Sequence, residues 1–128
     1  MFLMNSKLFQ DIFDLLIDVL PENWKKLVFM AGYTEGSYSM KYYVQIGESD
    51  YLDCFKLGNI DNLQLLQLFI KLNNIISPER SSLQESEKWN VLSMTVDSDG
   101  KMKTDFDYTD ISNDVITYED EWKKKYLV

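Results

Sequence analysis

Carboxylates are the side chains of this sequence that could do the most chemistry, and they concentrate toward its C-terminal end. Residues 97–121 hold nine acids and two lysines, a net charge of −7 in a chain whose net charge is −8. The acids are Asp97, Asp99, Asp105, Asp107, Asp110, Asp114, Glu119, Asp120 and Glu121. Clustered carboxylates can perform acid–base catalysis, bind a cation or attract a basic partner, and their spacing distinguishes these uses.

The spacing argues against catalysis and against a metal. Asp105 and Asp107 could perturb each other's pKa on one strand face, but no pocket signature accompanies them, which favours an exposed pair. The segment 97–100 (DSDG) resembles the start of a calcium loop. An EF-hand would need an oxygen ligand at Lys101, glycine at Met102 and glutamate at Tyr108. We therefore expect no catalytic residue, no metal and no cofactor.

The residue types that are scarce exclude further classes of enzyme. The chain has no histidine and one cysteine, Cys54, so Ser-His-Asp, Cys-His and zinc-hydrolase chemistry is excluded within it. No phosphate-binding glycine loop or nucleophile elbow is present. An excess of acid also disfavours nucleic acid and anionic membranes as partners, because affinity for both depends on Lys and Arg.

The N-terminal segment predicts no export signal. Met1–Met4 is apolar but short, no basic residue precedes it, and Asp11, Asp14 and Asp18 interrupt the apolar residues that follow. Together with the lone Cys54, this predicts a cytoplasmic protein.

Apolar periodicity predicts a helix at 6–20, three strands at 24–33, 38–46 and 51–57, and a second helix at 61–76. Pro21 should end the first helix and Ser77-Pro78 the second, whose broad apolar surface predicts deep burial. Residues 78–88 are polar and predict a mobile loop. A hairpin of strands 89–96 and 101–108 follows, with a type I′ turn at Asp99-Gly100, and then a helix at 112–127.

The element order α-βββ-α-ββ-α predicts an α+β fold, an antiparallel sheet with helices packed against it. The length of 128 residues and an apolar content of 45% fit a single domain spanning 1–128. Within the hairpin, alternation places Lys101, Lys103, Asp105 and Asp107 opposite Phe106 and Tyr108. That acidic face is either merely solvated or docks a basic partner, with Tyr108, Tyr118 and Trp122 as aromatic anchors.

Several segments, in order, resemble the YezG-like immunity proteins, bacterial antitoxins paired with secreted nuclease toxins of LXG and related polymorphic types. Residues 20–27 (LPENWKKL) are similar to a P-E-x-W-x-K element, and Tyr38, Tyr42 and Tyr43 to a Tyr-rich second strand. Residues 89–108 are similar to W-x-x-L followed by G-K-x-K-x-x-(F/Y)-x-Y. Residues 122–126 (WKKKY) are similar to a C-terminal W-K-Y-K element.

The resemblance implies an immunity protein that binds and neutralises a cognate toxin in the cytoplasm, the toxin being a basic, nuclease-like domain exported by type VII secretion. It implies a monomer when free and a heterodimer with the toxin. Charge and resemblance together predict the toxin-binding residues Asp97, Asp99, Asp105, Asp107, Tyr108, Asp110, Asp114 and Glu119. The alternative is a non-catalytic ligand-binding or adaptor domain whose acidic face is only solvated.

Overall fold

A computed structural model describes residues 6–48, 50–58 and 60–128; the segment Met1–Met4 lies outside them. The helices are α1 (Ser6–Ile17), α2 (Asn62–Ser81) and α3 (Val115–Tyr126). The strands are β1 (Trp24–Thr34), β2 (Ser37–Ile46), β3 (Leu52–Asp53), β4 (Val91–Asp97) and β5 (Met102–Asp107). One-turn 3₁₀ helices cover Cys54–Lys56 and Glu85–Glu87. The predicted α+β class and element order are confirmed.

The five strands form one antiparallel sheet in the order β3-β2-β1-β4-β5. The central strand β1 pairs with β2 on one side and β4 on the other, and its residues 27–33 (LVFMAGY) are all buried. A strand buried on both faces must be apolar throughout rather than alternating, which explains this uninterrupted run.

Helix α3 covers one face of the sheet. Trp122 lies in a buried cluster with side chains from three strands and from the segment before α3, namely Val28, Met30, Tyr43, Val91 and Ile111. The indole Nε1–H of Trp122 donates a 2.8 Å hydrogen bond to Oγ of the buried Ser93. Apolar packing and one internal polar contact therefore fix α3 on the sheet.

The chain divides into two compact units. One consists of residues up to Glu22 together with Phe55–Lys88, where α1 and α2 pack against each other. The other consists of Asn23–Cys54 and Trp89–Val128, which form the sheet and α3. None of the helices described is long and apolar enough to cross a lipid bilayer. The single-domain assignment stays a prediction.

Helix α2 differs from its prediction at its end and on its surface. It continues through Pro78 to Ser81, so only residues 82–88 remain of the predicted loop. Pro78 is tolerated because it falls in the last turn, where its missing N–H costs one bond to the carbonyl of the exposed Asn74. Leu63, Leu66 and Ile70 are exposed, so the helix is buried along one side only, by Leu65, Leu68, Phe69, Leu72 and Ile76.

One predicted strand and one predicted turn also differ from their predicted form. The predicted strand 51–57 pairs with β2 only through Leu52 and Asp53 before a 3₁₀ turn begins at Cys54. In the hairpin, the N–H of Gly100 bonds the carbonyl of Asp97, and Gly100, not Asp99, has a positive φ of 94°. The loop therefore has three residues, a turn followed by a left-handed glycine, and it is not type I′.

Candidate functional site

The predicted site residues lie in separate places along and around β5. The first place is the turn between β4 and β5, residues 97–101, which we call the hairpin end. Asp97 stands opposite Lys26 in the β1–β4 register, and Asp99 Oδ2 lies 3.9 Å from Lys101 Nζ. Cross-strand neighbours of opposite charge offset each other's potential. The hairpin end is therefore close to neutral, although two carboxylates stand there.

The second place lies between β5 and α3. Asp105 and Asp107 do face away from Phe106, as alternation predicts, but α3 covers that face. Oδ2 of Asp105 accepts a 2.7 Å hydrogen bond from the Tyr126 hydroxyl, and Oδ2 of Asp107 accepts one of 2.7 Å from Tyr118. These two carboxylates therefore hold α3 to the edge strand.

The protonation state of Asp107 follows from these contacts. Burial alone would raise the pKa of Asp107, but hydrogen bonds from Thr109 and from the Tyr118 hydroxyl outweigh burial and lower it. In return, burial and the bond to Asp107 raise the pKa of Tyr118. At neutral pH Asp107 is an ionised acceptor and Tyr118 a neutral donor, so the hydrogen bond between them is charge-assisted.

The third place is the segment 108–114, which links β5 to α3 and which we call the acidic loop. Tyr108 begins it with 55% of its surface exposed. Nδ2 of Asn90 donates to the carbonyl oxygens of Tyr108 at 3.1 Å and Thr109 at 2.9 Å. The main chain beneath the exposed ring is thus tethered to the start of β4.

Both carboxylates of the acidic loop stabilise its conformation. Asp110 accepts hydrogen bonds from the N–H of Ser112 at 3.0 Å and its hydroxyl at 2.6 Å. Asp114 caps α3 by accepting from the N–H of Thr117 at 3.0 Å. The bonds from Ser112 lower the pKa of Asp110, and the bond from Thr117 lowers that of Asp114. Both groups are exposed and ionised, and both are held in position.

Glu119 lies apart from the acidic loop, on the side of α3 that faces β2. Burial disfavours the charged form of Lys41, but Tyr43, Asp53 and Glu119 outweigh it and raise the pKa of Lys41. Lys41 Nζ also lies 3.4 Å from Asp53 Oδ2. Glu119 therefore belongs to a local charge network around Lys41.

The aromatic residues predicted as anchors are also separated. Trp122 is buried and Tyr118 is bonded to Asp107, so Tyr108 is the aromatic side chain that the acidic loop exposes. The four-residue spacing of Tyr118, Trp122 and Tyr126 places the three side chains on one side of α3. That spacing could have indicated that this side of the helix packs on the sheet. A helix with three amphipathic aromatic residues on one side needs an apolar surface that also offers hydrogen-bond acceptors.

The remaining groups that could bind a metal or act as a nucleophile are dispersed or buried among the described residues. Within 6–48, 50–58 and 60–128, no three His, Cys, Asp or Glu side chains converge to hold a metal ion. Cys54 is a buried free thiol, and burial raises its pKa to about 11, which disfavours the nucleophilic thiolate.

Comparison with known proteins assigns the chain to a family. The family model described as "Immunity protein YezG-like" matches residues 5–128, which is nearly the whole chain. No curated protein matches the sequence significantly.

Proposed function

The chain belongs to the YezG-like family of immunity proteins, and from that premise we propose that it neutralises a cognate toxin with a basic, nuclease-like domain through the acidic loop. The observation that carries the proposal is the exposed Tyr108 beside Asp110 and Asp114 on a hydrogen-bonded loop. We place this binding in the cytoplasm, as a heterodimer of immunity protein and toxin.

Electrostatics favours the acidic loop over the hairpin end as the centre of the interface. The six residues of β5 separate the two by roughly 20 Å at about 3.3 Å per residue. The hairpin end carries lysines beside its carboxylates, whereas among the described residues no Lys or Arg nitrogen lies within 4.0 Å of a carboxylate oxygen of Asp107, Asp110 or Asp114. The loop therefore offers the stronger field to a basic partner, with Asp97 and Asp99 at the rim.

A nuclease supplies the complementary chemistry. It must present Lys and Arg to the phosphates of its substrate, and a partner with fixed carboxylates can cover the same groups. Charge complementarity mainly accelerates association and selects the partner. Slow dissociation requires a desolvated anchor, and Tyr108 is suited to that role because little of its main-chain freedom remains to be lost on binding.

The proposed function predicts protection of cells from a toxin. The probe is the toxin encoded beside this gene, produced in a bacterial host with and without the protein. Co-production should restore growth, and the two proteins should co-elute as a one-to-one complex in size-exclusion chromatography. An unrelated acidic protein of similar size is the control. Growth arrest that persists although both proteins are present would contradict the proposed function.

A further inference from the structure

A cavity of about 470 Å³ opens beside the C-terminal end of α3, over the hairpin end of the sheet. Three lysines from three different elements line it: Lys26 of β1, Lys103 of β5 and Lys125 of α3. Thr95 lines it as well, together with Ser93 and Tyr126, whose hydroxyl groups are engaged with Trp122 and Asp105. The cavity thus combines ammonium groups with the hydroxyl group of Thr95, and both kinds of group can donate hydrogen bonds.

This concentration of positive charge contrasts with the rest of an acidic chain. No carboxylate of the described residues lies within 4.0 Å of the ammonium groups of Lys26 or Lys103, while Lys125 Nζ lies 3.6 Å from Asp105 Oδ2. Asp105 in the lining, and Asp97 opposite Lys26 in the strand register, offset part of the charge. An anion in the cavity would be attracted by the ammonium groups that line it.

We propose that this cavity binds a phosphate-bearing small molecule through Lys26, Lys103 and Lys125. A phosphate group presents several acceptor oxygens in a tetrahedral arrangement, so it can accept from ammonium groups that three different elements contribute to the lining. The cavity volume falls within the range of small-molecule sites, so it can hold a phosphate together with the organic group that carries it. The inference does not depend on the toxin, because the cavity lies at the opposite end of β5 from the acidic loop.

The test is calorimetric titration of the full chain with inorganic phosphate and, separately, with adenosine monophosphate, at constant ionic strength. We expect saturable binding at one site. Tighter binding of the nucleotide would identify a phosphate ester as the occupant, and equal affinity would identify the phosphate group alone. Lys103→Gln should weaken binding about tenfold, because it removes one charge-assisted hydrogen bond, and Lys26→Gln should act in the same direction.

The matched control is Lys71→Gln on the exposed side of α2, which removes the same charge away from the cavity and should leave the affinity unchanged. Circular dichroism would verify that each variant is folded. Absence of saturable binding, or equal weakening by Lys103→Gln and Lys71→Gln, would overturn the proposal, because either result means that any attraction is non-specific.

Discussion

Trp122→Ala is expected to lower the free energy of unfolding by about 3–5 kcal/mol, the usual cost of removing a buried tryptophan. Trp122 is only 4% exposed, and its ring lies 5.8 Å from that of Tyr43 and 5.1 Å from that of Tyr126, between centroids. The substitution removes these contacts and the hydrogen bond to Ser93. Since small domains are stabilised by about 5–15 kcal/mol in total, a large part of the stability should be lost.

Urea denaturation followed by circular dichroism measures this effect without relying on the fluorescence of the replaced residue. Ile116→Ala on the same helix is the control, because Ile116 is 76% exposed and its truncation should change stability by less than about 0.5 kcal/mol. Trp122→Phe, which keeps a ring but loses the N–H donor, extends the test if the alanine variant does not fold. Losses below about 1 kcal/mol for both Trp122 variants would mean that α3 does not depend on this contact.

Tyr108→Ala is expected to weaken binding of the cognate toxin by about 2 kcal/mol, roughly 30-fold, if Tyr108 is a hot spot of the interface. The loss should appear mainly as faster dissociation, because the side chain contributes contact area rather than charge. The free protein should keep its stability within about 0.5 kcal/mol, since the ring is exposed. Surface-immobilised toxin domain and stopped-flow competition would give the two rate constants.

The matched control for Tyr108 is Tyr38→Ala on β2. Tyr38 is also an exposed tyrosine, at 39%, with its ring 6.0 Å from that of Tyr33. It lies on the Tyr-rich strand β2, which is the alternative binding face if the toxin does not contact the acidic loop. A larger loss of affinity from Tyr38→Ala than from Tyr108→Ala would move the interface to β2.

Local patterns in the sequence were sufficient to predict four of the five strands closely, while the predicted strand 51–57 pairs only through Leu52 and Asp53. The side chains of a strand alternate with a period of two, so the placement of Asp105 and Asp107 opposite Phe106 followed from their spacing alone. That α3 covers the same face is a contact between residues distant in sequence, and alternation carries no information about it. The face that was predicted either to be solvated or to dock a partner is therefore partly a helix-packing surface.

The end of α2 and the backbone conformation before β1 could not be predicted from the sequence, because both depend on structural context. Proline is disfavoured in the interior of a helix, but the free energy it costs depends on how many turns follow it. Here α2 ends three residues after Pro78. Asn23, just before β1, has a positive φ of 66°, a conformation that asparagine tolerates without requiring it. The separation of the carboxylates into a neutral hairpin end and an acidic loop depends on the lysine opposite Asp97, which only the strand register reveals.

The central claim, that the acidic loop attracts the toxin, is tested most directly by the rate of association at two salt concentrations. Asp110→Asn with Asp114→Asn removes two charges, while the amide oxygens can still accept from Ser112 and Thr117. Asp97→Asn with Asp99→Asn removes the same charge at the hairpin end. We predict that the first pair slows association several-fold and flattens its salt dependence, and that the second pair has a clearly smaller effect. Wild-type rates and salt dependence for the first pair, or a larger effect from the second, would contradict the claim.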